Sequence, residues 1–208
     1  MGRQLTAATL MSAVTTLVAA MALRAADATL AIAAVAALAV LLGWYAQLHS
    51  SDEQSGLGLA NPAAVATLAV VGRRPWSTVL PVVAAHVVGA VLAGLAALAL
   101  EDRLGDTLVF GTPGLVLAGL GAALVGLVGA WATLATDAGG SEALTGVPVL
   151  VGGALLPLGL LVAFQPAAVL GLATAGILPW DVALTAAGGT VLGSMVGAFA
   201  VSVLVSNE

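Results

Sequence analysis

Uncharged apolar runs occupy positions 4–23, 28–48, 77–100, 114–136, 143–163 and 182–206. Each is near or above the roughly 20 residues that cross a bilayer as a helix. Polar residues come between them in short clusters: Arg24 to Asp27, a loop from His49 to Ser55 that includes Asp52-Glu53, and Gly72-Arg73-Arg74-Pro75. Further on come the acidic segment Glu101 to Asp106, Gly111-Thr112-Pro113, Asp137 to Glu142, and the turn Ile177 to Asp181. In lipid every backbone N–H and C=O must bond within its own segment, so such runs predict spanning helices, six in all. Met1 to Thr6 carries no small-residue cleavage site after a short apolar stretch and reads as the start of the first span.

Two shorter stretches organise this pattern. Asn61-Pro62-Ala63-Ala64-Val65 and Gln165-Pro166-Ala167-Ala168-Val169 lie 165 − 61 = 104 positions apart, half of the 208 residues. The same offset joins Leu68 to Leu172, Gly72 to Gly176, Pro75-Trp76 to Pro179-Trp180, Leu80 to Leu184 and Gly89 to Gly193, without a gap, so the chain carries an internal repeat. Asn61 is a strong N-cap, Pro62 suits the first helical position and Gly72 is a natural stop. The spacing predicts short helices over about 61–71 and 165–175, about 16 Å long and half of the hydrocarbon thickness. Paired half-spanning helices in matching halves point to a site at the membrane midplane. With three spans per half, about 1–104 and 105–208, the halves lie in opposite orientations and the half-helices meet at their N-termini.

Composition sharpens the class. The charged fraction is 7% and the apolar fraction 61%, with a mean hydropathy of +1.16, so the chain reads as an all-α integral membrane protein. It contains no Lys; the cations are Arg3, Arg24, Arg73, Arg74 and Arg103. Placing the N-terminus inside puts Arg3, Arg73 and Arg74 on the cytoplasmic side and Arg24 and Arg103 outside, the distribution expected of a multi-pass protein of a prokaryotic plasma membrane with both termini cytoplasmic. The net charge of −5 argues against nucleic-acid binding. Without Cys there is no disulfide framework or thiolate site. No nucleophile–base pair, phosphate loop or metal cluster points to an enzyme, a metal or a cofactor.

Six spans in two inverted halves, each with an Asn-Pro-Ala-type half-helix, resemble the aquaporin and glycerol-facilitator family, and the likeness covers nearly the whole chain. Ala85-His86-Val87-Val88-Gly89-Ala90 is similar to the family's Gln-x-x-Gly-Ala, Ala135-Thr136-Asp137 to its Thr-Asp, and Leu156-Pro157-Leu158-Gly159 to its Pro-Leu-Thr-Gly. The resemblance implies one transmembrane channel domain over residues 1–208, a narrow pore in each subunit, and a homotetramer. It places the pore midpoint at Asn61, Pro62, Ala63, Gln165, Pro166 and Ala167. Two facing helix N-termini set roughly half a positive charge each at the constriction, which opposes cations and hydronium. Asn61 can cap its helix through its oxygen and keep its NH₂ as a donor to passing solutes.

Three departures change the expectation. Gln165 stands where the family has Asn; it is a poorer cap, and either reaches into the lumen or folds back and leaves the pore to Asn61. Ala168 stands where the family's filter Arg usually follows the second Pro-Ala. The remaining filter positions fall near Gly152 or Gly153, and between Ala36 and Val40, with Val162 beside them. That set implies a wide, apolar, uncharged outer filter. The buried Glu residues that support the family's loops are missing from spans one and four, where Thr6, Thr9, Ser12, Thr15, Thr16 and Thr133 stand.

His86 reads as a buried, hydrogen-bonded histidine bracing a loop carbonyl, the alternative being a proton-sensitive gate facing the pore. Trp44, Trp76, Trp131 and Trp180 fit interfacial anchors. Gly119, Gly126, Gly129 and the pairs Gly89/Ala93 and Gly193/Gly197 fit close helix packing. The expected function is passive passage of water and small uncharged solutes such as glycerol. The rivals are a coupled small-solute carrier, with His86 its one intramembrane ionisable group, and a non-conducting membrane scaffold.

Overall fold

The computed structural model describes residues 2–24, 27–48, 60–104 and 113–205. The loop from His49 to Ser55 and the part of the link between halves from Asp106 to Thr112 lie outside the described residues. The helices are α1 (Gly2–Arg24), α2 (Ala28–Leu48), α3 (Pro62–Val70), α4 (Val79–Ala99), α5 (Glu101–Leu104), α6 (Leu115–Asp137), α7 (Val147–Leu155), α8 (Pro166–Thr174) and α9 (Trp180–Val205). No strand occurs among the described residues. Among the described residues, five helical segments are long and apolar enough to cross a membrane: α1, α2, α4 with its leading turn from Trp76, α6 and α9. That is the makeup of a multi-pass membrane protein.

The expected span at 143–163 is corrected. It is a shorter apolar segment, Glu142–Leu155, that begins as a 3₁₀ turn (Glu142–Gly146) and continues as α7. Its end has a local cause. Leu156 precedes Pro157 and is extended (φ −113, ψ 153), because the proline ring clashes with an α conformation at the residue before it. The chain then turns through Leu158–Leu160 and on to Gln165.

Both short helices are built alike and are about 14 Å long. Each opens with proline in its first turn. Each ends in the same motif: Gly72 N–H donates to Ala69 C=O and Arg73 N–H to Leu68 C=O, as Gly176 does to Ala173 and Ile177 to Leu172. The glycines adopt φ +75 and +73, the left-handed conformation that closes such a motif without a Cβ penalty.

Packing follows the glycines. A Cβ at Gly89 would collide with the Thr9 carbonyl of α1, and one at Gly193 with the Ala123 carbonyl of α6. The backbones of α4 and α1, and of α9 and α6, therefore lie in contact, which dispersion between closely approaching helices rewards in lipid. The short helices cross over: α3 packs against α9 and α6, and α8 against α4 and α1. The outward faces of α4 (Leu80, Val88, Leu92) and α9 (Leu184, Leu192, Val196) are exposed and apolar, and each residue pairs with its counterpart at the 104 offset. All four tryptophans are about half exposed.

Two ion pairs sort the helix ends. Arg24, closing α1, meets Glu101 after α4 at 3.8 Å; Arg73, after α3, pairs with Asp137 at the end of α6. Since α4 runs from beside Arg73 to Glu101, these pairs mark opposite ends of the bundle. Arg73 and Arg24 are thus separated along the bundle.

Candidate functional site

Asn61 is an extended residue (φ −163, ψ 161) whose Oδ1 accepts the Ala64 N–H at 2.7 Å. That satisfies one of the orphan donors at the start of α3 and leaves the amide Nδ2 as the donor Asn61 still has to offer. From Pro62 to Ala69 every residue is buried, so the helix is held by its surroundings on all sides.

Gln165 behaves differently. Its side chain makes no cap bond to α8. The carboxamide Nε2 instead donates to the Ala60 carbonyl at 3.2 Å and to Ser12 Oγ on α1 at 3.0 Å. The Ala60 carbonyl can only accept, so the amide orientation is settled by chemistry: nitrogen faces Ala60, and Oε1 takes the remaining corner. Both N–H bonds of the amide are committed to the protein, and the start of α8 is tied to the residue before Asn61. Oε1 is buried without a partner.

Ser12 continues the chain. Its Oγ lies 2.6 Å from His86 Nδ1 on α4. The hydroxyl, which accepts from Gln165, shares a further hydrogen bond with that ring nitrogen. His86 is fully buried, and its Nε2 has no partner. The loop-bracing role read for His86 is therefore indirect, through Ser12 and Gln165. A direct brace stands at its counterpart, 86 + 104 = 190: Thr190 Oγ1 donates to the Ala163 carbonyl at 2.7 Å. Thr190 was not singled out from the residues; its place 104 positions after His86 is the one sequence signal for it.

A cavity of about 40 Å³ opens where these groups meet. Asn61, Gln165, Ala60 and Ala64 line it at the helix starts; Val35, Ala39 and Leu42 of α2 and Val149 of α7 supply apolar wall. Thr15, Thr133 and Thr145 add hydroxyls, and Val162 and Phe164 close it from the segment leading to α8. The volume suits a few waters or one small molecule.

Of the residues read as a filter, Val162 lines this cavity. Ala168 is fully buried and, with Ala36 and Ala63, belongs to the main apolar cluster. A Cβ at Gly152 would touch Val125 of α6, and one at Gly153 would crowd Ile32 of α2. Val40 lies half-buried, and its Cγ2 would be crowded by a Cβ at Gly146. Pro166 and Ala167 are buried in α8. Asn61, Gln165 and Val162 are thus brought together, while Ala36, Gly152, Gly153 and Ala168 sit at helix contacts. Gly129 makes room for the Phe164 ring that closes the cavity. Comparison with protein-family models gives no match, and comparison with curated proteins gives none either.

Proposed function

We propose that this chain is a passive channel for water and small uncharged solutes such as glycerol, with the aquaporin-like arrangement of inverted halves and two half-membrane helices. The observation that carries the reading is the Gln165–Ala60 hydrogen bond, which brings the start of α8 against the start of α3. Two helix starts in contact inside an apolar bundle oppose cations, while Asn61 offers a donor to a neutral solute's oxygen. The reading includes assembly of four copies in a prokaryotic plasma membrane, with the Arg73–Asp137 end of the bundle cytoplasmic.

The segment from Leu156 to Gln165 favours a second reading. Leu160, Leu161 and Ala163 on it are fully buried, so this stretch is packed into the protein rather than lining an open passage, which favours a non-conducting scaffold. Stopped-flow light scattering on proteoliposomes separates the two. A channel makes water and glycerol permeability exceed that of empty liposomes, and Ala39→Trp, which fills the cavity from α2, lowers both. Wild-type permeability equal to that of empty liposomes would exclude the channel and leave the scaffold.

A further inference from the structure

The two halves set different bulk against the cavity. Ala60 precedes Asn61, and at the 104 offset Phe164 precedes Gln165; both line the cavity. The long helices beside them follow a second offset. Gly89 meets the backbone of Thr9 on α1 and Gly193 that of Ala123 on α6, so α1 and α6 correspond at 123 − 9 = 114 positions. On that register Thr15 of α1 matches Gly129 of α6. Where the first half has Ala60 with Thr15, the second has Phe164 with Gly129.

The exchange is steric. A Cβ at Gly129 would collide with Cδ2 and Cε2 of the Phe164 ring. One edge of the ring is thus seated on bare α6 backbone, and the opposite edge is turned away from α6. Thr133, one turn further along α6, lines the cavity and donates to the Gly129 carbonyl at 2.8 Å, so the seat adjoins the cavity wall. A second seat lies about two turns back on the same face: a Cβ at Gly121 would collide with Leu156 Cδ2. Leu156 and Phe164 bound the stretch that leads from α7 to α8, so α6 holds both of its ends. Among the described residues that line the cavity, Phe164 is the one aromatic.

We infer that Phe164 sets the size limit of the passage, and that Gly129 is a positioning residue that holds its ring back against α6. The inference rests on the channel reading and names the side chain that sieves in it. Ala36 and Ala168 lie in the main apolar cluster, and Gly152 and Gly153 at helix contacts, so sieving falls to a residue on the cavity wall. The space there is about 40 Å³. Its surroundings are close-packed, so a ring pushed off its seat has the cavity as the room open to it.

The test measures water and glycerol permeability of proteoliposomes carrying the full chain. Phe164→Ala removes the ring and raises the glycerol-to-water ratio about tenfold, the scale on which an apolar pocket discriminates by size. Phe164→Leu, closer in volume, raises it less and serves if the alanine variant does not fold. Gly129→Ala drives the ring off its seat and lowers both permeabilities. Adding Phe164→Ala to Gly129→Ala restores them, a non-additive rescue that a packing role for Gly129 alone does not give. If Gly129→Ala alone does not fold, the Phe164 variants carry the test. A wild-type ratio in the folded Phe164 variants overturns the sieving and leaves a channel. Unaltered flux in Gly129→Ala, or no rescue in the double variant, overturns the seat. Wild-type flux no greater than that of empty liposomes overturns the channel and this inference together.

Discussion

The two proline-led helices share their opening Pro-Ala-Ala-Val and their ending, and diverge at the residue before the proline. α3 and α8 open with proline and close on a left-handed glycine with the same pair of hydrogen bonds. Asn61 is short enough to turn back and cap its own helix. Gln165, one methylene longer, forgoes the cap and reaches Ala60 and Ser12 instead. One methylene thus converts a local hydrogen bond into a bridge between two halves of the chain, and moves the free polar atom from a donor to an acceptor.

The largest test of this comparison concerns the frame that both helices need. Gly89→Leu and Gly193→Leu each drive a side chain into a facing carbonyl, and both are expected to abolish monodisperse protein on size-exclusion chromatography. A half that tolerated the change would show that the two glycines are not equivalent. Next come the boxes themselves. Gln165→Ala leaves the Ala60 carbonyl and Ser12 without their shared donor and is expected to cost about 2 kcal/mol. Asn61→Ala removes a cap, at about 1 kcal/mol. Thermal unfolding in detergent, followed by circular dichroism, gives the order, and a larger loss at Asn61 would contradict the bridging role of Gln165.

Gly72→Ala and Gly176→Ala test the shared ending. Both place a Cβ at positive φ in open space or beside the distant Leu98 methyl, so each is expected to cost about 1 kcal/mol, equally, in the same unfolding measurement. The smallest effect belongs to Arg73→Ala. Arg73 is half exposed where it pairs with Asp137, and its counterpart at the 104 offset is the uncharged Ile177. The loss stays below about 1 kcal/mol and shrinks with added salt; a salt-independent loss would mean the contact is not a solvated ion pair.

Elements with marks at both ends were legible from the residues. The short helices, read as about 61–71 and 165–175, are Pro62–Val70 and Pro166–Thr174, because caps and stops act within one turn. The segment at 143–163 was misread for a physical reason: apolar composition says that residues avoid water, and is silent on whether one helix contains them all. Leu156-Pro157 was the local warning. The site was half legible. Asn61 and Gln165 stand out by the repeat, but Ser12 meets Gln165 across 153 positions and His86 across 74.

The residues alone determined that this chain is helical and apolar, where its two short helices start and stop, and which positions correspond between the halves. Those properties follow from backbone hydrogen bonding, φ preferences and transfer free energies, which act locally. Which partners Gln165 reaches, which glycines touch a neighbouring carbonyl, and how small the central space is were decided by the tertiary structure. Each depends on distances between segments far apart along the chain, and a difference of one bond length in a side chain is enough to change the partner.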